Sequence, residues 1–312
     1  MVDSKHKWKA WLYLLPALVL LAIFTIYPII NTIRLAFLED YNMMAAINGK
    51  VFEFGFKNFE KVVAYRGFTT CLKNTVLLCV LTVPISTILA LLIAVALNSI
   101  GPLRRFLQTI YFLPYVTNSI AIGMVFAAMF NVVGNISAEP PLIVTAGIIN
   151  NFLGLFGVEP INWINVGSPY WANLTVMVVY IVWNALPFKI LILLGGLQSV
   201  NKQYYDAAKV DGTSRARVLR KITIPLLSPM IAYVVITGFI GGFKEYSSIV
   251  GVFGEGMGPG DNLALNTMVG YIYQSLEGQH QGRASAAALI LFAIILAVTL
   301  INLQVSKKRV HY

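Results

Sequence analysis

The chain has 312 residues, of which 58% are hydrophobic and only 12% charged, and its formal charge is +10. A soluble domain carries roughly 25% charged residues to keep its surface wet, so this composition excludes a soluble enzyme, and it excludes disorder, collagen and coiled coil as well. Lys and Arg lie in short clusters between long apolar runs rather than in one patch, which argues against nucleic-acid binding and for a membrane topology.

A bilayer core takes about 20 consecutive apolar residues per helix. Six stretches qualify, near 11–33, 74–97, 106–131, 172–197, 224–250 and 284–305, and they predict an all-α polytopic fold forming a single transmembrane domain over 1–312. Lys5, Lys7 and Lys9 precede the first stretch. It is too long for an ordinary signal peptide and lacks a small-x-small cleavage site, so it reads as a retained helix. Cys71 and Cys79, eight positions apart in span two, are separated by about 12 Å along a helix, too far for a disulfide. His6, His280 and His311 are scattered, with no cysteine or carboxylate at metal spacing, and no metal site is expected. Segment 132–170 reads as a loop with a short amphipathic helix at 146–156. Pro16, Pro28, Pro84, Pro114, Pro187 and Gly241-Gly242 lie inside the spans and predict kinks, which packed neighbours tolerate.

Lys and Arg set the orientation. Fourteen of the 23 lie at the two termini and in the loops after spans two and four, against five in the loop 39–73. Nine of the 13 acidic residues fall on the opposite face. Both termini are therefore expected to be cytoplasmic.

The long loop 198–224 reads Tyr205-Asp206-Ala207-Ala208-Lys209-Val210-Asp211-Gly212-Thr213-Ser214, then a basic stretch to Ile224-Pro225. Residues 204–210 suit a helix, Asp211-Gly212 suits a break, and Ser214 suits the cap of a second helix ending at Ile222. Val218, Leu219 and Ile222 recur at spacings of three and four among Arg215, Arg217, Arg220 and Lys221. Such a basic amphipathic piece is also suited to lying on anionic headgroups.

This run resembles the Glu-Ala-Ala loop of importer permeases in the ATP-binding cassette superfamily. Asp206-Ala207-Ala208, Asp211-Gly212, Ile222 and Pro225 match in register, with Asp206 in place of Glu, Thr213 in place of the third Ala and Leu219 in place of Phe. The chain is similar to the carbohydrate-uptake, maltose-type branch through Pro16, Tyr27-Pro28, Asn74-Thr75, Leu113-Pro114, Trp183, Pro187, Gly196-Leu197-Gln198, Gly258-Pro259 and Tyr271-Ile272-Tyr273. The resemblance implies a type I importer permease fold in the cytoplasmic membrane of a prokaryote. It also implies a second permease subunit, two ATPase subunits, an extracytoplasmic solute-binding protein and a carbohydrate substrate. Asp206, Ala207, Ala208, Asp211 and Gly212 are the implied coupling residues.

No Gly-x4-Gly-Lys-Ser/Thr phosphate loop is present, and the sole Gly-Lys pair, Gly49-Lys50, has Met44 where the first glycine belongs. The chain is thus expected to bind no cofactor, ATP and Mg belonging to its partners. Ionisable residues inside spans mark cavities or partners. Lys244 and Glu245 fall within span five, one of them free to face a cavity because helix neighbours point about 100° apart. Lys189 in span four is expected to snorkel. The resemblance places a sugar site on spans four and five, for which Trp183, Asn184, Phe243, Lys244, Tyr246 and Ser247 are the candidates: aromatic faces stack on sugar rings while amides and hydroxyls meet the sugar hydroxyls. A counterion for Lys244 is expected from protein or from an acidic sugar. The alternative, a stand-alone ion-coupled secondary transporter, calls for coupling carboxylates within the helices and often an inverted repeat; only Glu245 lies in a span.

Overall fold

The structure, a computed structural model, describes residues 7–100, 104–135 and 142–309. Lys5, His6, Glu139 and His311 lie outside them. In chain order the elements are α1 (Lys7–Leu21), a π turn (Ala22–Ile26), α2 (Tyr27–Phe37), α3 (Met43–Ile47), α4 (Lys57–Ala64), α5 (Phe68–Ser99), α6 (Arg104–Val116) and α7 (Ser119–Phe130). A hairpin of β1 (Val132–Asn135) and β2 (Leu142–Ala146) follows, then α8 (Ile148–Gly154), α9 (Tyr170–Ser199), α10 (Lys202–Val210) and α11 (Arg215–Val218). A second π turn (Leu219–Thr223), α12 (Ile224–Gly242), α13 (Ser247–Phe253), α14 (Met268–Glu277) and α15 (Gln281–Arg309) complete the order.

Among the described residues, five helical stretches are long and apolar enough to cross a bilayer: Trp11–Phe37, Phe68–Ser99, Tyr170–Ser199, Arg215–Gly242 and Gln281–Lys307. Span three, expected as one helix over 106–131, is instead broken into α6 and α7. Asn118 causes the break: its backbone is extended (φ −60°, ψ 124°), and its side chain accepts hydrogen bonds from the Ile120 and Ala121 amides, capping a new helix. Span five, expected over 224–250, divides at Phe243–Tyr246 into α12 and α13. The segment 132–170, expected as a loop with one short helix, also holds the β1–β2 hairpin, and its helix, Ile148–Gly154, is shorter than 146–156.

The two π turns share a cause. Each lies just before an X-Pro pair, Tyr27-Pro28 and Ile224-Pro225. A proline ring in a helix collides with the carbonyl four residues back, here Phe24 and Lys221, and a widened turn relieves that collision.

The chain divides into two compact units. Unit 1 comprises 1–68 and 271–292. From residue 11 to 30 every side chain is exposed within the chain, so this stretch has no core of its own. Packing in unit 1 gathers on Phe37, whose ring meets those of Phe54, Phe56 and Phe59 at 5.3, 5.4 and 5.2 Å. Buried Asn58 donates to the carbonyls of Ala36 (3.0 Å) and Leu38 (2.7 Å) and accepts the Asp40 amide (3.2 Å).

Unit 2 comprises 69–270 and 293–312. Among the described residues of this unit, one apolar cluster is formed by Leu78, Phe126, Val176, Met177, Tyr180 and Ile249, and another by Ala90, Ala94, Leu193, Leu194, Leu227 and Val234. Against the first, α7 and α13 touch backbone to backbone: a Cβ on Gly123 would lie 2.6 Å from the Gly251 Cα. Asn74, at the start of the predicted span, donates to the carbonyls of Ala264 and Asn266, both at 2.9 Å, and accepts the Tyr170 hydroxyl at 2.7 Å. Cys71 and Cys79 are buried and free.

Candidate functional site

At one end of unit 2 the Asp206–Gly212 segment closes as local chemistry dictates. Asn201 caps α10 by accepting the Gln203 amide at 3.0 Å. At the other end the Gly212 amide donates to the Lys209 carbonyl (3.1 Å) and the Thr213 amide to the Ala208 carbonyl (2.9 Å), the paired bonds of a Schellman turn. That turn requires a left-handed residue, and Gly212 takes φ +64° with open space around it. Asp206, Ala207, Asp211 and Gly212 are exposed, whereas Ala208 is buried and anchors the helix. Among the described residues the Asp206 carboxylate meets Lys209 of its own helix, 3.3 Å away, and both side chains are largely exposed. The second helix differs from expectation. Ser214 sits at the start of α11 but its side chain makes no capping bond, and the helix does not stop at Ile222: it runs on through the π turn into α12.

Between the two apolar clusters of unit 2 lies a cavity of about 310 Å³. Thr82, Val83 and Ser86 of α5, Asn184, Phe188 and Lys189 of α9, and Gly238, Gly241 and Gly242 of α12 line it, together with Tyr115 and Glu245. The Tyr115 and Phe188 rings are stacked at 5.8 Å and 18°. A Cβ at Gly242 would lie 2.8 Å from the Cys79 sulfur and one at Gly238 3.1 Å from Val83 Cγ1, so both positions are tight, whereas Gly241 borders open space.

Lys189 does not snorkel as expected. It is buried, and its three ammonium protons go to the Val83 carbonyl (3.2 Å), Ser86 Oγ (2.7 Å) and Thr87 Oγ1 (3.0 Å). Those hydroxyls in turn donate to the carbonyls of Thr82 and Val83, so the polar groups beside Pro84 form one closed network. Glu245 turns toward the same cavity; its carboxylate accepts the Ser248 amide at 3.2 Å and its carbonyl accepts the Thr267 hydroxyl at 3.0 Å.

Of the six residues expected along the pathway, the structure brings Asn184 to the cavity wall. Trp183 packs its ring on Phe126 at 5.3 Å, Phe243 is buried, Tyr246 packs on the first cluster, and Lys244 and Ser247 are exposed. The helical offset assumed for Lys244 and Glu245 does not apply, because α12 ends at Gly242 and the next four residues leave the helix. Among the described residues neither side chain forms an ion pair. Lys189 and Ser86 line the cavity without having been expected there, and their signal was the polar run Thr82-x-Pro84-x-Ser86-Thr87 inside an apolar span.

Apolar spans around a small cavity that carries a few polar groups, with an exposed, turn-closed helix, make a membrane permease. The chain belongs to the family of binding-protein-dependent transport system inner membrane components, which it matches over residues 77–311. It is 30% identical over 299 residues to the lactose transport system permease protein LacF of Rhizobium radiobacter, covering 94% of this chain and 91% of that one. It is 29% identical over 312 residues to the trehalose/maltose transport system permease protein MalF of Thermococcus litoralis, covering 99% and 98%. Its fold matches a chain in the crystal structure of a bacterial alginate ABC transporter in complex with an alginate pentasaccharide-bound periplasmic protein, with TM-score 0.78, 22% identity and coverage of 97% and 96%. The type I importer permease fold expected from the loop is the fold observed.

Proposed function

We propose that this chain is one of two permease subunits of an ATP-driven importer for a sugar or oligosaccharide. The observation that carries the sugar is the cavity, where a stacked aromatic pair, an amide, a carboxylate and hydroxyls surround a space floored by glycine. That combination meets both the apolar faces and the hydroxyls of a pyranose. The lactose and trehalose/maltose relatives support this substrate class. Asn184 and Glu245 are the groups we assign to the sugar hydroxyls, and Lys189 holds α5 and α9 in place beside them.

On this reading two separate ATPase subunits dock on the loop 202–212, supply the ATP and Mg chemistry, and meet exposed Asp206, Ala207, Asp211 and Gly212. Both termini and that loop face the cytoplasm, and 38–67 and 278–283 face outward with the binding protein, an orientation supported by the distribution of Lys and Arg.

The test is uptake in proteoliposomes holding the complete complex, with binding protein and labelled saccharides supplied. ATP-dependent uptake of a saccharide, reduced about tenfold or more by Asn184→Ala through loss of a buried hydrogen-bond partner, is the expected result. Uptake by the purified chain alone under an ion gradient would overturn the reading.

A further inference from the structure

A second cavity, of about 220 Å³, lies within unit 1 and is lined by Asp40, Asn58, Lys61, His280 and Arg283 among others. Its walls are fixed by bonds between distant parts of the chain. The Asn42 amide group donates to the Gln279 carbonyl (2.6 Å), the Met43 amide to Gln281 Oε1 (3.0 Å) and the Gly282 amide to the Tyr41 carbonyl (3.1 Å). Two non-glycine residues at its edge, Asp40 (φ +53°) and Gln279 (φ +57°), are held left-handed, a conformation that persists only where the surroundings impose it.

The charges around this cavity do not balance. Asp40 is already occupied, by Lys61 at 2.5 Å and Lys57 at 3.3 Å, and Lys61 in particular holds its carboxyl below the usual carboxylate range. Arg283, half-buried on the same wall, forms no ion pair among the described residues. A half-buried guanidinium without an acid is costly, and its planar fork fits a carboxylate bidentately.

Two observations point to a protein side chain as the source of that carboxylate. The cavity is smaller than the roughly 300–1,000 Å³ typical of small-molecule pockets, so it admits a short side chain rather than a sugar. Beside it, α3 starts at Asn42 and presents Met43, Met44 and Ile47, exposed by 56%, 54% and 69%. Arg and Met surrounding a charged recess have the composition of protein interfaces, and methionine suits a surface that adapts to a partner.

We propose that this recess is a socket for an acidic side chain of the extracytoplasmic binding protein, with Arg283 as anchor and Met43, Met44 and Ile47 as its apolar collar. The proposal rests on the orientation given under Proposed function, which puts unit 1's loops on the outer face.

The experiment uses the complete transporter in lipid nanodiscs and measures the affinity of its binding protein against salt concentration, in complexes that retain the wild-type ratio of ATPase subunits. Arg283→Gln is expected to weaken docking about thirtyfold and to flatten its salt dependence, with Arg283→Lys recovering part of the loss. Met44→Ser, a surface change that spares folding, is expected to weaken docking about fivefold. Unchanged affinity and salt slope in Arg283→Gln would overturn the socket, as would Lys performing no better than Gln. Should Arg283→Gln fail to assemble, Met44→Ser decides: wild-type affinity there overturns the proposal. Weakened pairing of the two permeases with intact docking would also overturn it. A wild-type complex that ignores its binding protein would refute the underlying functional reading, which separates that failure from failure of the socket alone.

Discussion

In the loop 202–212, the bonds that set the turn join residues a few positions apart, and the side-chain hydrogen bond between Tyr205 and Thr223 spans 18. Around the membrane cavity the corresponding bonds span about a hundred: Lys189 reaches back 103 positions to Ser86 and 106 to Val83. The turn is therefore specified by a short string of residues, and apart from buried Ala208 the expected contact residues stand exposed. The cavity exists only when three helices have already met. Damage to the loop should accordingly leave the fold intact and abolish communication, whereas damage around the cavity should register first as lost stability.

The most severe break is expected at the close approach of α7 and α13. Gly123→Val places a side chain against the Gly251 backbone, which has nowhere to retreat, and overpacking of this kind costs roughly 3 kcal/mol. Thermal unfolding of the purified chain in detergent should show an early, broadened transition. Next comes Lys189→Ala, which removes three hydrogen bonds from a buried charge and should cost about 2 kcal/mol. A double-mutant cycle with Ser86→Ala checks the mechanism: additive losses would dissociate the network into independent parts.

Changes in the loop should behave differently. Gly212→Val forces a β-branched residue to φ +64°, a local strain of about 1–2 kcal/mol, so the melting transition should fall no further than for Lys189→Ala while co-purification of the ATPase subunits falls. Asp211→Asn keeps the turn chemistry and should do less. Asp206→Asn loses only an exposed pair, a stability change below about 0.5 kcal/mol; any larger effect on ATP-driven uptake then measures contact with a partner.

The smallest expected effect is one of pH. The Asp40 carboxyl is held below its ordinary value of 3.8 by the Lys61 hydrogen bond first and by Lys57 after it. Its contribution is therefore complete above that ordinary value and is lost as pH falls through the lowered one. The stability difference between wild type and Asp40→Asn should be constant at neutral pH and vanish in strong acid.

The same contrast explains what the sequence discloses. Hydropathy locates most of the bundle because a window of about 20 residues averages over local detail, and that averaging is why the cap at Asn118 and the break after Gly242 escape it. Asp211-Gly212 is legible because one residue's backbone angle decides the turn. Lys189 is not: its position in span four suggests an escape toward water, and only the hydroxyls of Ser86 and Thr87, brought alongside by packing, make burial the better solution. Lys244 fails in the opposite way, since its apparent depth assumes a helix that has already ended.

The helix that continues past Ile222 has a mechanical meaning. Arg215–Gly242 is 28 residues long, so by a rise of 1.5 Å each it extends about 42 Å, with the Asp211-Gly212 turn beside one tip and the cavity's glycines near the other. A rod pivoting near its middle moves its two tips through equal arcs in opposite senses. A tilt of about 5° then carries each tip about 2 Å, the scale on which packed helices slide past one another.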